Sequence, residues 1–83
     1  MPRVRVELYG LARLRAGVAG AAVEAATVRD ALLAACPGLA VVRGGRVSPE
    51  YLLSVGGGRF TTNPDQPLAD GDTLLVLGAD AGG

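Results

Sequence analysis

The sequence contains no histidine, no lysine and no tryptophan, and its one cysteine is Cys36. Each absence removes a class of chemistry. Without histidine, the commonest general base near neutral pH and the commonest metal ligand are both missing. A lone cysteine without histidine cannot assemble a zinc site of ordinary composition. A Schiff base on lysine, a Cys–His pair and a Ser–His pair are excluded in the same way. A carboxylate-only mechanism would have to use the eight acidic residues, and 83 residues leave little chain to build a pocket around them. The inventory predicts a protein that does not catalyse by itself, holds no metal and binds no cofactor.

Other scarcities narrow the setting. Eight arginines balance eight acids, so no basic footprint for nucleic acid is present. One cysteine cannot close an intrachain disulfide, which suits a reducing cytosol. The opening MPRVRVELYG alternates charged and apolar residues, unlike a secretory signal. The longest nearly apolar run, Ala31–Val42, is broken by Pro37 and Gly38 and is too short to span a bilayer. The expectation is one soluble, cytoplasmic domain without membrane or direct nucleic-acid partners.

What is present is organised by period. Arg3–Tyr9 (RVRVELY) places Val4, Val6 and Leu8 on one face and Arg3, Arg5 and Glu7 on the other, the alternation of a half-buried strand. Gly10–Gly20 is bounded by glycines and predicts a loop with a helical turn. Ala21–Ala26 is a weak second strand. Thr27 is a good N-cap, and Asp30 sits where it can return a capping bond. Val28, Ala31, Leu32 and Ala35 form an i, i+3, i+4, i+7 stripe, and Pro37-Gly38 ends it, predicting a helix from Val28 to about Cys36. Residues 39–50 read as irregular around a Gly44-Gly45 turn. Tyr51–Val55 and Arg59–Thr62 read as strands on either side of three glycines, and 63–72 as loop. Thr73–Gly78 (TLLVLG) is a continuously apolar, β-prone run of the kind found in a central strand.

Placing the last strand centrally, beside and parallel to the first, requires the helix in the crossover. The predicted fold class is α+β: a β-grasp (ubiquitin-like) domain over residues 1–77, with a mixed sheet of four to five strands and one main helix on one face. Residues 78–83 would be a flexible Gly-Gly tail. One helix on one face leaves the other without an intramolecular cover, and apolar residues there would form a docking surface.

The segments LYGLARLRAGV, ATVRDALLAACPGL and PLADGDTLLVL, followed by the final GG, occur in this order across almost the whole chain. With them the sequence resembles the MoaD/ThiS family of ubiquitin-like sulfur carriers, which includes the small subunit of molybdopterin synthase. It departs from the molybdopterin type in having Gly78-Ala79-Asp80-Ala81 where prolines usually precede the Gly-Gly, and Gly56-Gly57-Gly58 where an Asn-Gly or similar pair is common.

The resemblance implies that a ubiquitin-activating-like (E1-like, MoeB/ThiF-like) enzyme uses ATP and magnesium to adenylate the carboxylate of Gly83. A sulfur donor then displaces AMP to leave a thiocarboxylate. The sulfur is delivered inside a second enzyme, the MoaE-like large synthase subunit in molybdenum cofactor biosynthesis or another acceptor. Physical chemistry accounts for the tail. An α-carboxylate is ionised and a poor electrophile at neutral pH, and adenylation supplies a leaving group. Six residues reach about 20 Å, and glycines at Gly82 and Gly83 fit a narrow channel. Asp80 and Ala81 would pass through the same channel.

The resemblance also implies partner contacts at Tyr9, Arg13, Phe60 and Leu77, with core packing as the competing reading for Tyr9, Phe60 and, most strongly, Leu77, and a solvated arginine for Arg13. Arg15 is a second basic candidate. Cys36 reads as a small buried apolar residue rather than a sulfur relay, and Asp70-Gly71-Asp72 as a tight turn rather than a cation loop. Other readings stay open: a carrier for thiamin thiazole, tRNA thiolation or cysteine synthesis, a ubiquitin-like modifier, or a β-grasp interaction module with an incidental Gly-Gly.

Overall fold

A computed structural model describes residues 1–79. The strand β1, Arg3–Tyr9, buries Val4, Val6 and Leu8 and turns Arg3 and Arg5 to solvent, as its alternation requires. It runs directly into the helix α1, Gly10–Ala16, followed by β2, Gly20–Glu24, and α2, Val28–Ala35. Two short strands, β3 (Val42–Arg43) and β4 (Arg46–Val47), precede β5 (Tyr51–Val55), β6 (Arg59–Thr61) and β7 (Thr73–Gly78).

The main sheet has the order β2-β1-β7-β5-β6. β7 is central and pairs parallel to β1, with Val6 beside Leu74 and Leu8 beside Val76. Its other neighbour, β5, is antiparallel, as are the β1–β2 and β5–β6 pairs. This is the expected mixed-sheet β-grasp. Both helices contribute to a single core on one face. Ala12 of α1 and Val28, Ala31 and Leu32 of α2 pack with Val6, Leu8, Leu53, Val55, Leu74 and Val76 of the strands. Burying each of the larger aliphatic side chains contributes about 1.5–3 kcal/mol, the main force holding so small a domain together.

Two expectations need correcting. Gly10–Gly20 holds a helix of seven residues, where only a helical turn was expected. Alone it would be too short to persist in water. It forms because Ala12 is fully buried and the Arg13 Nε–H donates to the Leu8 carbonyl at 2.9 Å, pinning the helix to the strand before it. Residues 39–50 likewise contain a hairpin rather than irregular chain. Gly44 and Gly45, with φ of 57° and 77°, form its two-residue turn, and two positive φ values in succession fit the right-handed twist of the flanking strands.

The N-terminus of α2 shows how loop chemistry is used. Thr27 Oγ1 accepts the Asp30 N–H at 3.3 Å, which is half of the expected capping box. The Val28 and Arg29 N–H groups, which have no partner inside the helix, donate to the carbonyls of Gln66 and Pro64. The loop 63–69 therefore serves as an extended cap. The turn at Asp70-Gly71-Asp72 is stitched to β1: Asp70 Oδ1 accepts the Arg3 N–H at 2.8 Å and the Gly71 N–H donates to the Arg3 carbonyl. These bonds give both acids of that turn backbone work, since Asp72 Oδ2 also accepts the Ala69 N–H at 2.8 Å.

Candidate functional site

The sheet face opposite the helices carries the second row of strand side chains. Because cross-strand partners in register point the same way, two lateral rows can be read off. The first runs Tyr9, Leu77, Leu52 across β1, β7 and β5. The second runs Glu7, Leu75, Ser54, Phe60 across β1, β7, β5 and β6. Phe60 is 71% exposed and Leu52 40%, whereas Leu75 and Leu77 are half-buried. Ser54 is buried and floors a shallow groove of about 410 Å³, walled by Leu52, Leu75, Leu77, Phe60 and the backbone of Gly57 and Gly58. Among the described residues nothing covers this face, and its four large apolar side chains have the character of a docking surface.

The structure thus brings Phe60 and Leu77 into one groove and adds Leu52 and Leu75, which the sequence reading did not single out. The signal for both was available: they occupy the alternate positions of β5 and β7 relative to the core residues Leu53, Leu74 and Val76. Tyr9 lies at the groove's edge beside Leu77, with its hydroxyl donating to Glu7 Oε1 at 2.7 Å. That bond, ahead of the Arg5 guanidinium, holds the Glu7 carboxyl below its usual value, and in return it raises the Tyr9 phenol. Arg13 reaches from α1 around the end of β1, placing its guanidinium 5.4 Å from the centre of the Tyr9 ring. Tyr9, Arg13 and Leu77 therefore gather where β1 and β7 end.

That end is also where the described residues finish. β7 reaches Gly78, and the Ala79 N–H donates to the Glu50 carbonyl at 2.8 Å, one ladder bond beyond the strand. Arg15 does not present a free guanidinium here. Its Nη1 donates to Glu50 Oε1 and to the Tyr51 hydroxyl, both at 3.1 Å, and Arg43 approaches Glu50 Oε2 at 3.4 Å. The Tyr51 hydroxyl first, then Glu50, raises the pKa of Arg15 further. The sequence reading missed Glu50 and Tyr51, for no local pattern links them to residue 15. The remaining predicted site residues, Asp80, Ala81, Gly82 and Gly83, lie outside the described residues.

Cys36 is buried at the end of α2, and burial pushes its thiol pKa up, away from the reactive thiolate. Among the described residues, no three or more His, Cys, Asp or Glu side chains gather as a metal site. Nor is any helix of the described residues long and apolar enough to cross a membrane.

No protein-family model matches the chain, and neither does any curated protein. Solved structures do. The small archaeal modifier protein 1 (SAMP1) of Methanosarcina acetivorans superposes with a TM-score of 0.75 at 21% identity, covering 100% of this chain and 98% of the other. A provisionally named molybdopterin converting factor, subunit 1, from Pyrococcus furiosus gives 0.70 at 25% identity, covering 94% and 98%. The Haloferax volcanii HVO 2177 protein gives 0.74 at 26% identity, covering 99% and 87%. The full-length match in fold to small modifier and converting-factor proteins agrees with the strand order read above: the chain has the ubiquitin-like β-grasp fold.

Proposed function

We propose that the protein is a sulfur carrier whose Gly83 carboxylate is adenylated and then converted to a thiocarboxylate, serving as the small subunit of a molybdopterin synthase. The observation that carries this reading is the position of the apolar groove. Leu77, the last open-face residue of β7, is both part of the groove and two residues from the Ala79 anchor at which the chain leaves the sheet. A partner seated on Phe60, Leu52, Leu75 and Leu77 would receive the following four residues, which can span at most roughly 14 Å, directly into its interior. Likeness in fold to a converting-factor subunit supports the same reading.

In this role the carrier contributes no general base. The adenylating partner, with ATP and magnesium, joins AMP to the Gly83 carboxylate and releases pyrophosphate. A sulfide equivalent then attacks the acyl carbon and expels AMP. The groove and the Tyr9–Arg13 edge supply affinity, and Gly82-Gly83 supply a backbone thin enough for a narrow channel. An acceptor enzyme of the large-synthase-subunit kind takes the sulfur.

A second reading is favoured by the likeness to SAMP1. The activated carboxylate would pass to a lysine of another protein. These 83 residues hold no lysine, so side-chain-linked self-chains of them cannot form. Intact mass after incubation with ATP, magnesium, an adenylating partner and sulfide decides the matter. A gain equal to replacing one oxygen by sulfur, absent when Gly83 is deleted, is expected for the carrier. Lysine adducts on target proteins, in place of that gain, are expected for the modifier. Neither product, with a partner that activates a control carrier, would refute both and leave an interaction module.

A further inference from the structure

We propose that Arg15, Glu50 and Arg43 form a brace that sets the direction in which the C-terminal segment leaves the sheet, with Arg15 as its positioning residue. The inference rests on the reading of Gly83 as the delivered group, and it concerns how that group is aimed rather than how the partner is held.

The starting point is the Ala79 N–H bond to the Glu50 carbonyl at 2.8 Å, which lies one pair beyond the Tyr51–Gly78 register at the end of β5 and β7. At the end of a ladder such a bond normally frays, because no further pairing follows it. Here the acceptor residue is held from several sides. The Glu50 N–H donates to Ser48 Oγ at 3.3 Å, and the Tyr51 N–H donates to the Ser48 carbonyl at 3.1 Å. The Glu50 carboxylate is shared between Arg15 of α1 and Arg43 of β3, so two separate elements converge on one residue.

Arg15 is itself fixed by a rigid anchor. Tyr51 is buried, its hydroxyl accepts from Arg15 Nη1 at 3.1 Å, and the guanidinium lies 6.0 Å from the centre of its ring. The side chains of Arg15 and Glu50 remain nearly half exposed, and pairs of that kind add little to folding stability. Their convergence on the residue that holds Ala79 points to alignment of the exit. Alignment matters because a group delivered about 1 Å out of place can lose on the order of a hundredfold in rate. The rows of the groove and the brace therefore have separable tasks: the groove sets how tightly a partner binds, and the brace sets how often the bound end is presented correctly.

The test measures both tasks on the full chain. Amide hydrogen exchange by NMR is followed at Ala79, with the central ladder residue Val76 as internal reference, in the wild type and in Arg15→Ala, Arg15→Lys and Glu50→Gln. Exchange at Ala79 is expected to rise about fivefold in Arg15→Ala and Glu50→Gln with Val76 unchanged, since only a local opening is affected. Arg15→Lys is expected to recover part of the protection, because an ammonium can still pair with Glu50 but lacks the planar guanidinium that lies over the Tyr51 ring. In the adenylation reaction, followed by pyrophosphate release, Arg15→Ala is expected to lower kcat about five- to tenfold with KM within about twofold, the signature of lost orientation rather than lost binding.

Unchanged exchange at Ala79, equal acceleration at Val76, or faster exchange with kcat intact would each overturn the proposal. A wild-type protein that no partner adenylates would overturn the Gly83 reading and with it the kinetic half. The exchange data would still decide the brace.

Discussion

Replacing Phe60 by alanine separates docking from folding. A phenylalanine offers roughly 150–250 Å² of surface. With 71% of Phe60 exposed, roughly 110–180 Å² remains for a partner to cover. At about 25 cal/mol per Å² that area is worth up to about 3–4.5 kcal/mol on binding. The alanine methyl and imperfect coverage reduce the loss to about 2–3 kcal/mol, or roughly 30- to 150-fold in Kd. Folding should be nearly indifferent, with a change within about 1 kcal/mol, because so little of the ring is buried in the free domain. Leu53→Ala, at a core position only 1% exposed on the opposite side of the same sheet, should instead cost about 2–5 kcal/mol of stability. Calorimetric titration of the adenylating partner with each variant, alongside urea unfolding, reads both quantities. An unchanged Kd for Phe60→Ala with a partner that activates the wild type would refute the assignment of this face, as would a stability loss equal to that of Leu53→Ala.

Three further outcomes are expected. In Gly20→Ala the new Cβ would sit 2.6 Å from the Val6 carbonyl oxygen, so the β1–β2 pair must shift, at a cost of about 1–3 kcal/mol in chemical unfolding. Gly38→Ala meets nothing within 4 Å and should be neutral or slightly stabilising; equal effects would sink the steric argument. Tyr9→Phe should raise the Glu7 pKa toward its ordinary value by removing the largest lowering contact, and a carboxyl NMR titration that does not move would contradict the Tyr9–Glu7 bond. Burial raises the Cys36 pKa above its unfolded value, so the folded state keeps that proton longer. Its contribution to stability is then complete below about pH 8.5 and is lost as pH rises through the folded pKa. Unfolding curves should show this decline in the wild type and not in Cys36→Ala, and thiol labelling should be slow until the protein unfolds. Equal labelling rates for native and unfolded chain would overturn it.

The two sides of β1 were legible because Val4, Val6 and Leu8 alternate strictly with charged residues. The start of α2 was equally plain, since Thr27 and the Val28–Ala35 stripe are local signals that later packing only reinforced. The span Gly10–Ala16 was under-read for the opposite reason. Its helix depends on a contact from Arg13 back to Leu8 and on burial of Ala12 beneath the sheet, neither of which is visible in a seven-residue window. The Gly44-Gly45 hairpin shows a third case, where the turn was recognised but the two residues of strand on each side were too few to carry a period.

Composition and local periodicity were enough to rule out histidine and lysine as catalytic groups and to place the last strand centrally beside the first, because these depend on residue type and on spacings of two to four. The assembly of the open face was a different matter. Tyr9, Leu52, Phe60 and Leu77 become neighbours only when a parallel β1–β7 pair and two antiparallel pairs adopt one particular register. A slip of one residue in any strand would turn its open-face row into the core. The meeting of Arg15, Arg43 and Glu50 at the root of the C-terminal segment likewise depends on where α1 and the hairpin come to rest. Such contacts are non-local, and the packing of the whole domain decides them.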